Sequence, residues 1–251
     1  TKVENEIYAL SDQDDVWNKD KIEKTYNKLK KDNADLACTD LEVVNEKLET
    51  MYPSFNNYMM LSRKIEKYVD DYKMQYLYNC VTGCTLMSKK AFLDKIIPIP
   101  TDSKYVIHDT WIGLIVALYG KVTYLNETTI KYRQHGGNQV GSNHISHKFT
   151  KLEQVRNLFI NVKYQLFKTY VNNNNVFPEN IQRQNLESYN YFEMLKNKKY
   201  INFKDWKIFH QLYKTETFKY YIENFAILNL PILANIPFKI RHFILKLQGR
   251  R

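Results

Sequence analysis

Cysteine is scarce in this chain. The three residues, Cys38, Cys80 and Cys84, show no paired Cys-x-x-Cys spacing, which argues against a structural zinc or a disulfide framework and makes a reducing cytoplasm the default. Long apolar runs are also missing. No stretch approaches the ~20 residues that a bilayer-spanning helix requires, no signal peptide is visible, and no internal repeat or recognised nucleic-acid motif is present. Glycine is sparse at seven residues, and three of the seven lie between Arg133 and Gly141. What remains is the composition of a globular protein, 44% hydrophobic and 25% charged over 251 residues, long enough to bury a sizeable core. Acidic charge is lacking from one part only. Residues 1–147 carry 19 Lys and Arg against 20 Asp and Glu, whereas residues 148–251 carry 18 against 7, so the net charge of +10 belongs to the second part. Anionic lipid head groups or nucleic acid are the usual partners of such asymmetry.

The chain is organised around Ser11-Asp12-Gln13-Asp14-Asp15-Val16-Trp17, which follows the apolar run Ile7 to Leu10. A strand is expected to run into an acidic loop there. In an open α/β sheet, ligands bind beyond the carboxyl ends of strands, and clustered hard oxygens suit Mg²⁺ or Mn²⁺ carrying a phosphate. A solvated turn capping the next helix is the alternative. Asn18 is expected to cap a helix presenting Ile22, Tyr26 and Leu29, and Leu36-Ala37-Cys38-Thr39 a strand ending at Asp40.

Residues 50–60 read as an irregular loop, and Leu61, Ile65, Tyr68, Val69, Tyr72 and Leu77 as an amphipathic helix. Asn79 to Met87 reads as a strand interrupted by Gly83, which marks a close approach of a ligand or of a neighbouring side chain. Ser88 is expected to cap a helix through Ile97, and Asp109 to sit in the first turn of a buried helix reaching Tyr119. Two strands, 122–125 and 129–132, are expected to flank a turn at Asn126-Glu127. Arg133 to Gly141 is then a glycine-rich loop able to fold over a ligand. From Lys148 onward the texture is helical, with Leu152, Val155, Phe159, Val162 and Leu166 as an apolar stripe and Asn172 to Asn175 as a polar break. The tail 231–251 reads as a basic amphipathic helix suited either to an anionic membrane surface or to the protein's own core.

The acidic stretch with Lys21, together with Asn79-Cys80-Val81-Thr82-Gly83, His108-Asp109-Thr110-Trp111 and Tyr132 to Asn138, resembles the family 2 inverting glycosyltransferases, in particular the rhamnosyltransferase-like group that builds bacterial surface polysaccharides. The resemblance covers roughly residues 6–143. It implies a partial GT-A, Rossmann-like α/β fold. Residues 1–147 would be the metal and acceptor half of that domain, a mixed sheet with flanking helices, and residues 148–251 a mainly helical basic extension. In that family an amino-terminal nucleotide-binding half precedes the acidic motif, so this chain is expected to be a carboxyl-terminal fragment.

The resemblance implies a nucleoside-diphosphate sugar as donor, Mg²⁺ or Mn²⁺ on Asp12, Asp14 and Asp15, and Asp109 as the base. It implies donor contacts from Arg133, Gln134, His135, Trp17, Lys21, Asp40 and Gly83, with Arg133 and His135 meeting the diphosphate. The acceptor would be a polysaccharide or a lipid-linked glycan, and the enzyme would work in the cytoplasm at the inner face of the membrane. Nucleic acid is not an expected partner. A non-catalytic sugar-binding or scaffold remnant, and a basic nucleic-acid-binding protein, are the alternative readings.

Overall fold

The computed structural model describes residues 6–60, 65–77, 79–102, 105–135, 152–197 and 203–214, together with Phe225 and Leu228. It divides into two compact units, one of residues 1–101 and 106–142, the other of residues 102–105 and 143–251. The first is α/β and the second, where described, is helical, as the sequence led us to expect.

The first unit is built on a mixed six-stranded sheet in the order β1-β5-β3-β6-β2, with β4 also pairing to β3. These strands are β1 (Ile7–Ala9), β2 (Val16–Trp17), β3 (Leu36–Val44), β4 (Thr50–Tyr52), β5 (Met87–Lys89) and β6 (Val122–Arg133). Only β3 and β6 run parallel; the other pairings are antiparallel. β3 is buried along nearly its whole length, as a near-continuous apolar strand covered on both faces should be. One side packs Ala37 and Met87 against Leu29 of helix α1 (Lys21–Lys31). A second cluster joins Leu41, Val43, Ile130 and Cys84 to Trp17, Tyr52, Phe55 and Tyr132.

Several local expectations are corrected. Helix α1 starts one turn later than Asn18. Asp20 occupies the cap position, while Asn18 instead donates its side-chain amide to the Thr128 carbonyl. Its buried face is Lys21, Thr25 and Leu29, so Ile22 (46% exposed) and Tyr26 (39% exposed) face outward. Two polar residues and one leucine, at i, i+4 and i+8, form the inner stripe because Lys21 finds a partner inside.

β3 does not stop at Asp40, because the Asp40 carboxylate accepts the Leu41 and Asn56 N–H groups and the Ser54 hydroxyl. Those bonds also turn residues 50–60, expected to be irregular, into β4 and helix α2 (Phe55–Met60). The expected helix across 61–77 is two short helices, α3 (Ile65–Tyr68) and α4 (Tyr72–Leu77). Asp71 separates them by accepting the Lys73 N–H with its own side chain; residues 61–64 lie outside the described set.

Asn79 to Met87 is not a continuous strand. Gly83–Thr85 forms a 3₁₀ turn and only Met87–Lys89 pairs as β5. Ser88 accordingly lies in β5, and the helix that it was expected to cap is reduced to a 3₁₀ turn at Lys90–Phe92 followed by α5 (Leu93–Ile96). Helix α6 (His108–Tyr119) meets the expectation, ending at Gly120, and its Trp111 indole donates to the Ile96 carbonyl at 2.8 Å.

The turn expected at Asn126-Glu127 is absent, and β6 runs unbroken from Val122 to Arg133. Thr39 pairs with Leu125 and Asp40 with Thr128, so the strand absorbs the extra residues as an irregularity in a parallel ladder. Glu127 is steadied there by Lys24 at 2.8 Å. Of the glycine-rich loop, only Arg133, Gln134 and His135 are described.

In the second unit, α7 (Leu152–Asn172), α8 (Glu179–Asn197) and α9 (Phe203–Tyr213) carry the core. The inner face of α7 is Ile160, Lys163, Leu166, Phe167 and Tyr170; of the expected stripe Leu166 lies on it, Phe159 and Val162 are half-buried, and the side chains of Leu152 and Val155 lie outside the described set. Phe167 stacks on Phe192 of α8 at 5.5 Å and Tyr170 meets Phe177 edge-on, so ring packing fixes this face. Among the described residues no helix is long and apolar enough to cross a membrane. The basic tail 231–251 lies outside the described residues.

Candidate active site

The acidic loop hangs between β1 and β2, and β2 pins it against the carboxyl end of β6 through the pairs Val16–Lys131 and Trp17–Ile130. The Arg133 N–H donates to Asp15 Oδ1 at 3.1 Å, and the Gln134 N–H donates to the Val44 carbonyl at 2.8 Å. His135 Nε2 lies 2.7 Å from Asp14 Oδ2. Asp14 is thereby committed to the histidine, while Asp12 and Asp15 turn towards Cys84: one ligand atom from each of the three lies within 4.8 Å of the others.

Asp15 Oδ2 is shielded from solvent without an N–H or O–H donor of its own. Burial, seconded by the charges of Asp12 and Asp14 and offset by the bonds from Arg133 and Cys84, pushes the Asp15 carboxyl up to about 6. A buried oxygen lacking a donor beside a second carboxylate fits a hard divalent cation, whose charge would restore the ionised form. Cys84 does not add a hard ligand. Burial drives its thiol well above the ordinary range, so it stays protonated at neutral pH.

Beneath this group lies Lys21, only 2% exposed. Its Nζ donates to the Cys84 carbonyl at 2.8 Å and sits 3.8 Å from the centre of the Trp17 ring. Burial lowers its pKa to about 8, against the pull of the Asp15 and Asp12 charges. Lys21 and Trp17 thus brace the floor of the loop from inside.

The 3₁₀ turn Gly83–Thr85 ties this group to Asp109. Cys84 faces the acidic loop, and the Gly83 N–H donates to Asp109 Oδ2 at 3.0 Å. The other oxygen, Oδ1, accepts the Asn79 amide at 3.0 Å and both the N–H and the hydroxyl of Thr110. Asp109 is 6% exposed, and burial raises its pKa despite the neighbouring His108 charge and the backbone bonds from Gly83 and Thr110. The helix start alone would have favoured the charged form; here desolvation outweighs it. His108 itself is exposed at the start of α6. Its ring covers Gly83 so closely that a Cβ there would stand 2.5 Å from Nε2, so a larger residue at 83 would have to push the ring aside.

The structure therefore brings Asp12, Asp15, Trp17, Lys21 and Gly83 around one turn with Asp109, and holds Asp14, Arg133, Gln134 and His135 at the adjoining end of β6. Asp40 stands apart, its carboxylate occupied by the start of α2. Sequence reasoning assigned no role to Cys84, Asn79 or His108. Their adjacency to Gly83 and Asp109 in the quoted motifs was the available signal. A shallow groove of about 500 Å³ lies elsewhere, along residues 122–127 of β6 beside Lys28, Asp32 and Glu66.

Residues 1–94 match the family model described as glycosyl transferase family 2. A dTDP-rhamnosyl transferase, RfbG of Shigella flexneri, is 29% identical over 164 residues, covering 62% of this chain and 53% of that protein. Among solved structures, S. aureus TarS 1–349 in complex with UDP-GlcNAc aligns with 76% of this chain and 50% of its own, at 14% identity and a TM-score of 0.43. The chain thus spans about half the length of the relatives that it matches.

Proposed function

We propose that the protein is a rhamnosyltransferase-like member of glycosyl transferase family 2, the family whose model its first 94 residues match, and that it transfers a sugar from a nucleoside-diphosphate donor to a hydroxyl of a polysaccharide or lipid-linked acceptor, with inversion. The observation that carries this reading is the turn Gly83–Thr85, which joins the Asp12 and Asp15 carboxylates on one side to the buried Asp109 on the other. Departure of a diphosphate and deprotonation of a hydroxyl are the two demands of such a transfer, and each has its group here.

Asp12 and Asp15 would hold a Mg²⁺ or Mn²⁺ ion, which supplies positive charge against the diphosphate when bound. Arg133 and His135, at the end of β6, face the same charge, Arg133 with a two-pronged donor. Lys21 and Trp17 keep the loop from collapsing inward. Asp109 is the base that takes the proton from the acceptor hydroxyl, through the lone pair that Oδ2 keeps beside its bond from the Gly83 N–H. The bond from acceptor oxygen to anomeric carbon forms as the bond from that carbon to the diphosphate breaks, and the electron pair leaves with the diphosphate.

Rhamnose is the donor sugar that we put first, because the RfbG relative is named for it. The basic tail 231–251 is the segment by which the protein would work at the inner face of an anionic membrane. The test is direct. The purified protein is incubated with dTDP-rhamnose or UDP-GlcNAc and Mn²⁺, and nucleoside diphosphate release is followed. Release that is lost in Asp15→Asn supports the reading; no release with either donor overturns it.

A further inference from the structure

We propose that Cys84 gives the acidic loop a second metal chemistry: with Asp12 and Asp15 it forms a three-ligand site for a thiophilic cation, Zn²⁺ or Cd²⁺, which displaces Mg²⁺ or Mn²⁺ from the same carboxylates. The site stands on its donor set and needs no substrate, so it goes beyond the sugar-transfer reading. One ligand atom each from Asp12, Asp15 and Cys84 lie within 4.8 Å of one another. Tetrahedral zinc with bonds of about 2.0–2.3 Å sets its ligands roughly 3.3–3.7 Å apart, so the group has to close by about an ångström. Asp12, exposed on the loop, is the ligand able to move.

The inner side of the site is already built. Cys84 is 2% exposed, and its carbonyl is held by the Lys21 ammonium. Asp15 Oδ1 accepts the Arg133 N–H, which leaves Oδ2, shielded from solvent and without a donor, for an ion. The Cys84 thiol is hydrogen-bonded to Asp15, so a proton occupies the place between sulfur and carboxylate that a cation would take. Ligand type then decides the occupant, because carboxylate oxygen suits Mg²⁺ and Mn²⁺ while thiolate selects softer ions such as Zn²⁺. Burial keeps the thiol protonated beside a hard ion, whereas a metal that coordinates sulfur deprotonates it outright. The S–H bond breaks, the sulfur keeps the electron pair and donates it to the metal, and the proton leaves to solvent. No oxidant or reductant takes part. Zn²⁺ bound in this way withholds Asp12 and Asp15 from Mn²⁺.

The experiment titrates the full chain, with no donor sugar present, with MnCl₂, ZnCl₂ and CdCl₂. Cd²⁺ should raise the ultraviolet charge-transfer band of a cadmium thiolate, and saturating Zn²⁺ should abolish Mn²⁺ binding. Calorimetry in buffers of different ionisation enthalpy should show about one more proton released by Zn²⁺ than by Mn²⁺. Cys84→Ser should lose the band and bind Zn²⁺ more weakly by at least about 10–100-fold, the cost already of losing an outer-shell partner, with Mn²⁺ affinity at the wild-type value. A band that survives in Cys84→Ser, and so belongs to Cys38 or Cys80, overturns the inference, as does a Zn²⁺ affinity that falls no further than that for Mn²⁺. Equal proton release by the two ions, or Mn²⁺ that still binds the zinc-loaded chain, overturns it in the unaltered protein, where no variant has to fold. Failure of dTDP release would overturn the sugar-transfer reading and leave this site standing.

Discussion

Asp14 Oδ2 and His135 Nε2 stand 2.7 Å apart, which fastens the acidic loop to the residues just beyond β6. Asp14 is the middle carboxylate of the loop, and this contact turns it away from Asp12 and Asp15, whose oxygens converge with Cys84. The two sets of carboxylates should therefore respond differently to substitution. Asp15→Asn should weaken Mn²⁺ binding more than Asp14→Asn does, because ligand charge sets affinity for a hard cation. Calorimetric titration of both variants with Mn²⁺ checks this; an equal fall would return Asp14 to the ion.

Lys21 supports the loop from within, so its loss should register as stability. Lys21→Ala removes a buried stem and strands the Cys84 carbonyl, costing about 2–4 kcal/mol. Lys21→Met refills the space and should lose visibly less. Urea denaturation of the two variants measures the difference. A donor-binding lysine on the surface would instead leave both variants as stable as the wild type.

Asp109 makes the fold sensitive to pH in a particular direction. Its pKa is raised by burial, so the folded protein holds this proton more tightly than the unfolded chain does. The corresponding stabilisation is complete below the ordinary carboxylate value of 3.8 and declines as pH rises through the folded value. Asp109→Asn has no such decline. Its stability relative to wild type should improve steadily as pH is raised from about 4, as thermal melts across that range would show. A constant difference would mean that the folded and unfolded pKa values are the same.

Gly83→Ala probes the contact between the turn and His108. The added methyl would stand 2.5 Å from Nε2, but the ring is at the exposed end of its helix and can swing aside. The expected cost is about 1–3 kcal/mol in stability, with the circular dichroism of the fold retained. Diphosphate release should fall as well, because a shifted turn no longer holds Asp109 through the Gly83 N–H. An active Gly83→Ala protein would show that the ring need not lie over residue 83.

The sheet and the buried α6 were legible because apolar period and length marked them: Ile7 to Leu10, Leu36 to Thr39 and Trp111 to Leu118 needed no tertiary knowledge. What misled was polar side chains whose partners are far along the chain. Asn126-Glu127 reads as a turn, yet the β3 ladder and Lys24 hold it as an irregularity within a strand. Asp40 reads as a strand end, yet it captures Ser54 and Asn56 and so builds a helix from a presumed loop. The acidic loop and Asp109 were visible as a motif. That Lys21 points inward was not, because an amphipathic helix with a lysine on its inner stripe looks, in sequence, like one rotated by a residue. The grouping of Asp15 with Cys84 depended likewise on a 3₁₀ turn hidden inside an apparent strand.

The bonds that hold the acidic loop carry a consequence for biosynthesis. Asp15 takes its backbone bond from a residue 118 positions later, and Asp14 meets a histidine 121 positions later. A ribosome working at roughly 5–20 residues per second releases the loop on the order of 6–24 s before those partners emerge. Throughout that interval the three carboxylates are a loose anionic segment, free to scavenge cations but unable to orient a donor. Competence arrives only when β6 docks beside β3, the slow, non-local step of this topology, so a chain arrested before Arg133 would leave the ribosome with its motif intact and no working site.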